Sequence, residues 1–261
     1  MADPTPPTFL VIGAQKSATR WLRVNLGLHP DVFTAPRELG FFSSAERYAS
    51  GTSWYLEQFD GWDGEPVVGE ASPAYMMWRH HPERVAERVY ETLGPVALIA
   101  ILRNPVDRAR SAFVHHVDRG RVEPGADFLA HVRSCPPDAD PLGIVSGGWY
   151  AASLQPFRER FGDRLLVLVH DDIQADAAGV YRETLRHVGA GEGFVPREIE
   201  RVRFSIRARD GATESPEPTP ADRAELYEYF RVDVAQLQEM LGRDLSMWDP
   251  AVGEGPTGAP A

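Results

Sequence analysis

Eight residues near the start of the chain, Gly13-Ala14-Gln15-Lys16-Ser17-Ala18-Thr19-Arg20, bring together an ammonium, two hydroxyls and a guanidinium. Lys16 is the only lysine among the chain's 27 basic side chains; the rest are arginines. Arginine replaces lysine at little cost on a solvated surface, but not where a compact ammonium must point at one oxygen. The segment comes after an apolar run, Phe9 to Ile12, that reads as a short buried strand. It precedes a stretch with helical periodicity, Thr19 to Leu28, through Trp21, Leu22, Asn25 and Leu26. A loop in that position gathers backbone N–H groups at a helix N-terminus, where the helix dipole favours an anion. Lys16 can reach over a phosphate oxygen, and Ser17 and Thr19 can add hydroxyl donors. The spacing is not that of a nucleotide-triphosphate loop, G-x-x-x-x-G-K-[ST], because the lysine comes three residues after Gly13 and no second glycine precedes it.

A second anion reader lies further on. Val96 to Leu102 is an almost wholly aliphatic run, as expected for the middle of a parallel sheet. Arg103 comes directly after it. Asn104-Pro105 then breaks the strand and opens a helix to about Asp118, with proline at a favoured first position. Arg108 and Ser111 lie on that helix. Ligands of parallel sheets bind along the edge formed by the strand C-termini, so Arg103 and Ser111 can face the same ligand as Lys16. Two anion readers on one edge suit a nucleoside phosphorylated at both ends. Arg108 reads equally as a helix-face ion pair or a ligand contact.

The remaining elements alternate. Pro66 to Gly69 reads as a strand, Pro82 to Leu93 as a helix, and Tyr150 to Phe161 as a helix. Leu165 to Val169 is a strand and Ala177 to Val188 a helix. The pattern predicts an α/β fold with a central parallel sheet flanked by helices and a P-loop-like phosphate site. Ala221 to Leu241 reads as one closing helix ended by Gly242. Asp210 to Pro220 reads as an exposed loop and Pro250 to Ala261 as a disordered tail. Residues 1–249 are therefore expected to form a single domain.

Acidic residues number 38, and the formal charge is -11, which argues against a nucleic-acid partner. Cys135 is the single cysteine, so neither an intrachain disulfide framework nor a cysteine-rich zinc site is expected. No segment has the length of a signal h-region or a membrane span. A cytoplasmic protein with no membrane partner is the expectation.

The phosphate loop resembles the 5′-phosphosulfate loop of sulfotransferases that use 3′-phosphoadenosine 5′-phosphosulfate (PAPS). Its Lys-x-x-Thr-Arg ending is most similar to the heparan sulfate 3-O-sulfotransferase branch. Leu28-His29-Pro30-Asp31-Val32, Arg37-Glu38-Leu39-Gly40-Phe41-Phe42 and Gly69-Glu70-Ala71-Ser72-Pro73-Ala74-Tyr75 continue the likeness. Ile101-Leu102-Arg103-Asn104-Pro105, with Arg108 and Ser111, resembles the 3′-phosphate motif. Glu228-Tyr229-Phe230 and Leu241-Gly242-Arg243 fit as well.

The resemblance implies a PAPS cofactor leaving as 3′,5′-ADP, and no metal. It implies cofactor binding by Gln15, Lys16, Ser17, Ala18, Thr19 and Arg20 at the phosphosulfate end. Arg103 and Ser111 would hold the 3′-phosphate, and Arg209, with Arg207, would stand in for a basic loop ahead of the last helix. Lys16 would stabilise the leaving oxygen, and Glu38 would be the base that takes the acceptor hydroxyl proton. Glu70 is the runner-up for that base; His115 and His116 are a third choice. The sequence departs from the heparan branch at Gly40, Ser43 and Ala71, where histidine, aspartate and lysine stand. These departures and the acidic balance point to a small-molecule acceptor, neutral or phenolic, rather than a polysulfated glycan. Tryptophans and tyrosines, among them Trp54, Tyr55, Tyr75, Trp78 and Trp149, are numerous enough to wall its cleft. The rival readings are a P-loop-type small-molecule kinase using ATP and Mg²⁺ and a non-catalytic nucleotide-binding protein.

Overall fold

The computed structural model of the chain describes residues 7–135, 140–201 and 217–253. They fall into two compact units, one built from residues 7–103 and 153–201, the other from 104–135, 140–152 and 217–253.

The first unit holds a five-stranded sheet in the order β2-β3-β1-β4-β5. Its strands are β1 (Phe9–Gly13), β2 (Val32–Thr34), β3 (Val67–Ala71), β4 (Ala97–Leu102) and β5 (Leu165–Val169), and every pairing is parallel. β1 and β3 are buried along their whole length. That is why their runs show no polar alternation: each face of a parallel sheet is covered. Phe9 and Val11 of β1 and Ile99 and Ile101 of β4 pack with Leu22 and Leu26 of the helix Thr19–Leu26 and with Tyr181 and Leu185 of the helix Ala177–Val188. The Trp21 indole N–H closes this layer on the Ile199 carbonyl at 2.9 Å.

The first helix, β2 and β3 differ from the sequence reading. The first helix stops at Leu26, with Gly27 as its C-cap, two residues short of Leu28. β2 has only three residues, too few to show a period. β3 runs on past Gly69 to Ala71, because the carboxylate of Glu70 is accommodated inside the strand, opposite Leu10 of β1.

The second unit is helical. The Asn104 side chain caps the helix Pro105–Asp118, its Oδ1 accepting from the N–H groups of Val106 (3.0 Å) and Asp107 (3.4 Å). Arg108 is fully buried and donates to the Gly143 carbonyl at 3.0 Å and to that of Ile144, so it is not a solvent-facing group. The expected closing helix is two helices, Pro220–Glu228 and Arg231–Leu241. The chain breaks at Tyr229-Phe230, where the Tyr229 carbonyl accepts from the Trp149 indole at 3.2 Å and the Phe230 ring is buried. Gly242, at φ 61°, ends the second helix as anticipated. The expected loop ends earlier than Pro220, since Thr219 and Asp222 form a capping box there; most of it lies outside the described residues. Pro250–Gly253 forms a helical turn rather than the start of a loose tail, and 254–261 lie outside the described residues.

Asp233 fixes the start of the helix Tyr150–Phe161: its carboxylate accepts from the N–H groups of Ala151 at 3.0 Å and Ala152 at 3.1 Å. Asp233→Ala leaves those donors buried and unmet, and is expected to lower unfolding stability by about 2 kcal/mol. A denaturation midpoint equal to that of the unaltered protein would count against this capping role.

Candidate active site

β1 lies between β3 and β4, so the loop leaving its C-terminus is flanked by the chain segments that leave those two strands. Gly13 opens the loop where no side chain fits: a Cβ there would overlap Met76. Lys16 and Ala18 both adopt left-handed backbone, at φ 71° and 72°. Such a conformation is costly for a residue with a Cβ, and it is of the kind that can shape backbone N–H groups into an anion-binding concavity. Ala18 is the N-cap of the helix Thr19–Leu26; among the described residues no side chain caps that end, and its first turn holds no acidic residue. Two buried polar atoms in the loop, Ser17 Oγ and Gln15 Oε1, have no hydrogen-bond partner among the described residues. Buried hydroxyls and amides are nearly always satisfied, so this loop is built for a polar ligand.

The other predicted ligand residues divide between the units. Lys16 and Gln15 are half-buried, Ser17 and Thr19 buried, and Arg20 exposed. Arg103, at the C-terminal end of β4, donates from Nη1 to the Lys16 carbonyl at 3.5 Å, so the two cationic residues meet at the loop. Ser111 is buried on the helix Pro105–Asp118 of the second unit. Arg207 and Arg209 lie outside the described residues. His116, a third choice for the base, is buried, with Nε2 at 3.0 Å from the Leu142 carbonyl. Tyr55 and Tyr75 are fully buried, whereas Trp78 is exposed. Trp54 is half-buried and stacks on Phe41 at 6.0 Å between centroids.

The two candidate carboxylates sit in opposite environments. Glu38 is exposed. Its neighbour Arg37 donates to Gln58, and the field of Glu38 falls on Arg23. Arg23 donates to the carbonyls of Ala35 and Pro36, Arg47 to that of Leu39, and Arg88 to that of Phe42. The guanidinium groups flanking Glu38 thus brace the loop that carries it. Glu70 has no exposed surface. Burial pushes its carboxyl up to about 7, against the lowering effect of hydrogen bonds from Ser72, Tyr75, Tyr55 and the Leu39 backbone. The Ser72 and Tyr75 hydroxyls are not singled out by the sequence; only their place in a segment resembling a known family could mark them.

Among the described residues, no helix is long and apolar enough to cross a membrane, and no cluster of three or more His, Cys, Asp or Glu is placed to hold a metal ion.

No protein-family model matches the chain. Heparan sulfate glucosamine 3-O-sulfotransferase 5 from Mus musculus is 36% identical over 107 residues, 41% of this chain and 30% of that protein. The chain thus spans about a third or less of the length of the curated relatives it first matches. The crystal structure of a sulfotransferase from Alicyclobacillus acidocaldarius superposes with a TM-score of 0.75 at 29% identity, covering 94% of this chain and 99% of that one. A mouse sulfotransferase complexed with PAP superposes at 0.54 with 13% identity, over 91% of this chain and 90% of that one. The fold is therefore the sulfotransferase fold. The chain is thus similar in sequence to heparan sulfate 3-O-sulfotransferases over part of its length, and in fold to sulfotransferases.

The buried carboxyl of Glu70 gives a stability test. Its folded pKa of about 7 stands above the ordinary 4.5, so the folded state binds the proton more tightly. Stability from that proton is full below about pH 4.5 and is lost as pH rises through about 7. Glu70→Gln does not titrate. Its stability relative to the unaltered protein should therefore rise across that window, by up to about 3 kcal/mol. Denaturant unfolding of both proteins at about pH 5 and about pH 8 checks it; a constant difference would contradict the buried-acid account.

Proposed function

We propose that this protein transfers a sulfuryl group from PAPS to the hydroxyl of a small neutral or phenolic acceptor. The observation that carries the reading is the loop after β1. There, buried Ser17 Oγ and Gln15 Oε1 lack partners among the described residues, beside the one lysine of the chain and beside Arg103. PAPS bound there supplies the sulfuryl group and a good leaving group. The chain's own part is positioning and charge stabilisation. Lys16 and backbone N–H groups of the loop hold the phosphosulfate oxygens, Ser17 and Thr19 add hydroxyl donors, and Gln15, Ala18 and Arg20 complete the loop. Arg103 and Ser111 keep the 3′-phosphate role that the sequence resemblance implies, and Arg209 keeps its place beside the cofactor. Glu38, exposed at the surface, accepts the acceptor's proton.

The acceptor class is argued from how the surrounding cations are used. Arg23, Arg37, Arg47 and Arg88 are engaged by carbonyls or by Gln58, and a polyanionic sugar chain would have to draw them away. The half-buried Trp54, stacked on Phe41 three residues from Glu38, offers an aromatic wall instead. We read residues 1–249 as one sulfotransferase domain, because each compact unit is made from interleaved stretches of chain. A cytoplasmic setting belongs to the same proposal.

Saturating 3′,5′-ADP should raise the melting temperature, since ligand at about 100 times its Kd adds about 2.7 kcal/mol. ATP with Mg²⁺ should not. The reverse pattern would favour a kinase. Lys16→Ala and Glu38→Gln should each lower transfer by at least about 100-fold with the fold intact. Labelled PAPS offered to phenols, simple sugars, peptidic natural products and heparan oligosaccharides should mark a phenol or another small neutral acceptor. Label found only in the heparan fraction would refute the acceptor class.

A further inference from the structure

The segment that carries Glu38 is held from below by a nest of hydroxyls around one buried carboxylate. Glu70 accepts from Ser72 Oγ at 2.6 Å, from Tyr55 OH at 3.3 Å, from Tyr75 OH and from the Leu39 backbone N–H. All four neighbours are donors, which suits an ionised, acceptor-only group; a protonated carboxyl would aim its own hydrogen at one of them. Two of these donors pass the order on. Ser72 Oγ accepts from the Gly40 N–H at 2.8 Å, and Tyr75 OH accepts from the Phe41 N–H at 3.1 Å. The three consecutive N–H groups after Glu38, those of Leu39, Gly40 and Phe41, thus end on Glu70 or on a hydroxyl that Glu70 orients. Gly40 turns the chain at φ 58°, a conformation that resists a side chain. The proton transfer assigned to Glu38 makes no direct use of any of these groups.

We propose that Glu70 is a positioning residue for sulfuryl transfer: through Ser72, Tyr75 and the Leu39 N–H it fixes the backbone that aims Glu38 at the acceptor. The inference rests on the reading of Glu38 as the base. It also makes the arrangement sensitive to pH. The titratable groups facing Glu70 are Tyr55 and Tyr75, whose phenols burial holds well above their ordinary range, so they stay neutral. Across the sheet its register partner is Leu10, which does not titrate. Glu70 itself therefore changes charge near pH 7, and its ionised, acceptor-only form is the one that matches the four donors.

The test uses the full chain and four proteins: unaltered, Glu70→Gln, Glu38→Gln and the double variant. Glu70→Gln keeps the shape but turns an amide NH₂ toward a donor. It should lower kcat by about 10- to 100-fold, the scale of a small misplacement, with 3′,5′-ADP affinity unchanged. The rise of kcat through about pH 7 in the unaltered protein should vanish in the variant. The double variant should be no slower than Glu38→Gln alone, because a residue acting through Glu38 has nothing left to position. If the two losses multiply instead, or if Glu70→Gln turns over like the unaltered protein, the positioning role is wrong while Glu38 stands as base. If Glu38→Gln keeps full kcat, the base assignment fails and this inference with it. Should Glu70→Gln not fold, Tyr75→Phe removes the hydroxyl linking Glu70 to Phe41. It should show the same loss of kcat and the same non-additivity with Glu38→Gln; additivity there overturns the proposal equally.

Discussion

The structure depends on the central place of β1. A parallel sheet directs all its strand C-termini to one edge, and β1 has β3 on one side and β4 on the other. The residues leaving β3 and β4 must therefore border the loop that leaves β1. That single constraint brings the Arg103 guanidinium to the Lys16 carbonyl and seats the Met76 side chain against Gly13. The chemistry at the edge is then fixed by which atoms the loop leaves unmatched. Left-handed backbone at Lys16 and Ala18 costs free energy in isolation, and the buried layer of Phe9, Val11, Ile99, Ile101 and Leu22 holds it in place.

Much of this is legible in the sequence, and the reasons differ by element. The strand Ala97–Leu102 and the helix Pro105–Asp118 declare themselves because a long aliphatic run meets Asn104-Pro105, an N-cap with a first-turn proline. The phosphate loop is readable because lysine is otherwise absent. Glu70 is not: a carboxylate within a strand breaks the hydrophobic pattern, so the strand reads as ending one residue before it. Its burial depends on Ser72, Tyr75 and Tyr55, partners that come together only once the chain is folded. The break at Tyr229-Phe230 is hidden for the same reason, since the group that takes the Tyr229 carbonyl is the distant Trp149. Glu38 is found by resemblance alone; nothing in its local pattern separates it from an ordinary loop carboxylate.

The two carboxylates show how position sorts residues of one chemical type. Glu38 lies at the surface, open to solvent. Glu70 is held in a dry nest, where four donors oppose the cost of burying its charge. Arginines near them serve the backbone: Arg23, Arg47 and Arg88 each donate to main-chain carbonyls around the loop. A planar guanidinium can brace two carbonyls at once, which a lysine ammonium does less well. An arginine-only surface is thus compatible with a well-braced loop, and it leaves the one ammonium distinct in kind.

That distinctness has a practical side. An amine-directed acylating reagent meets a single side-chain target in this protein, half-buried in the loop after β1. Every molecule that carries such a tag on a side chain carries it at the same atom, Lys16 Nζ. The chain is in effect addressed at the loop after β1 by its own composition, and burial of that loop can be followed by how slowly one side-chain amine reacts.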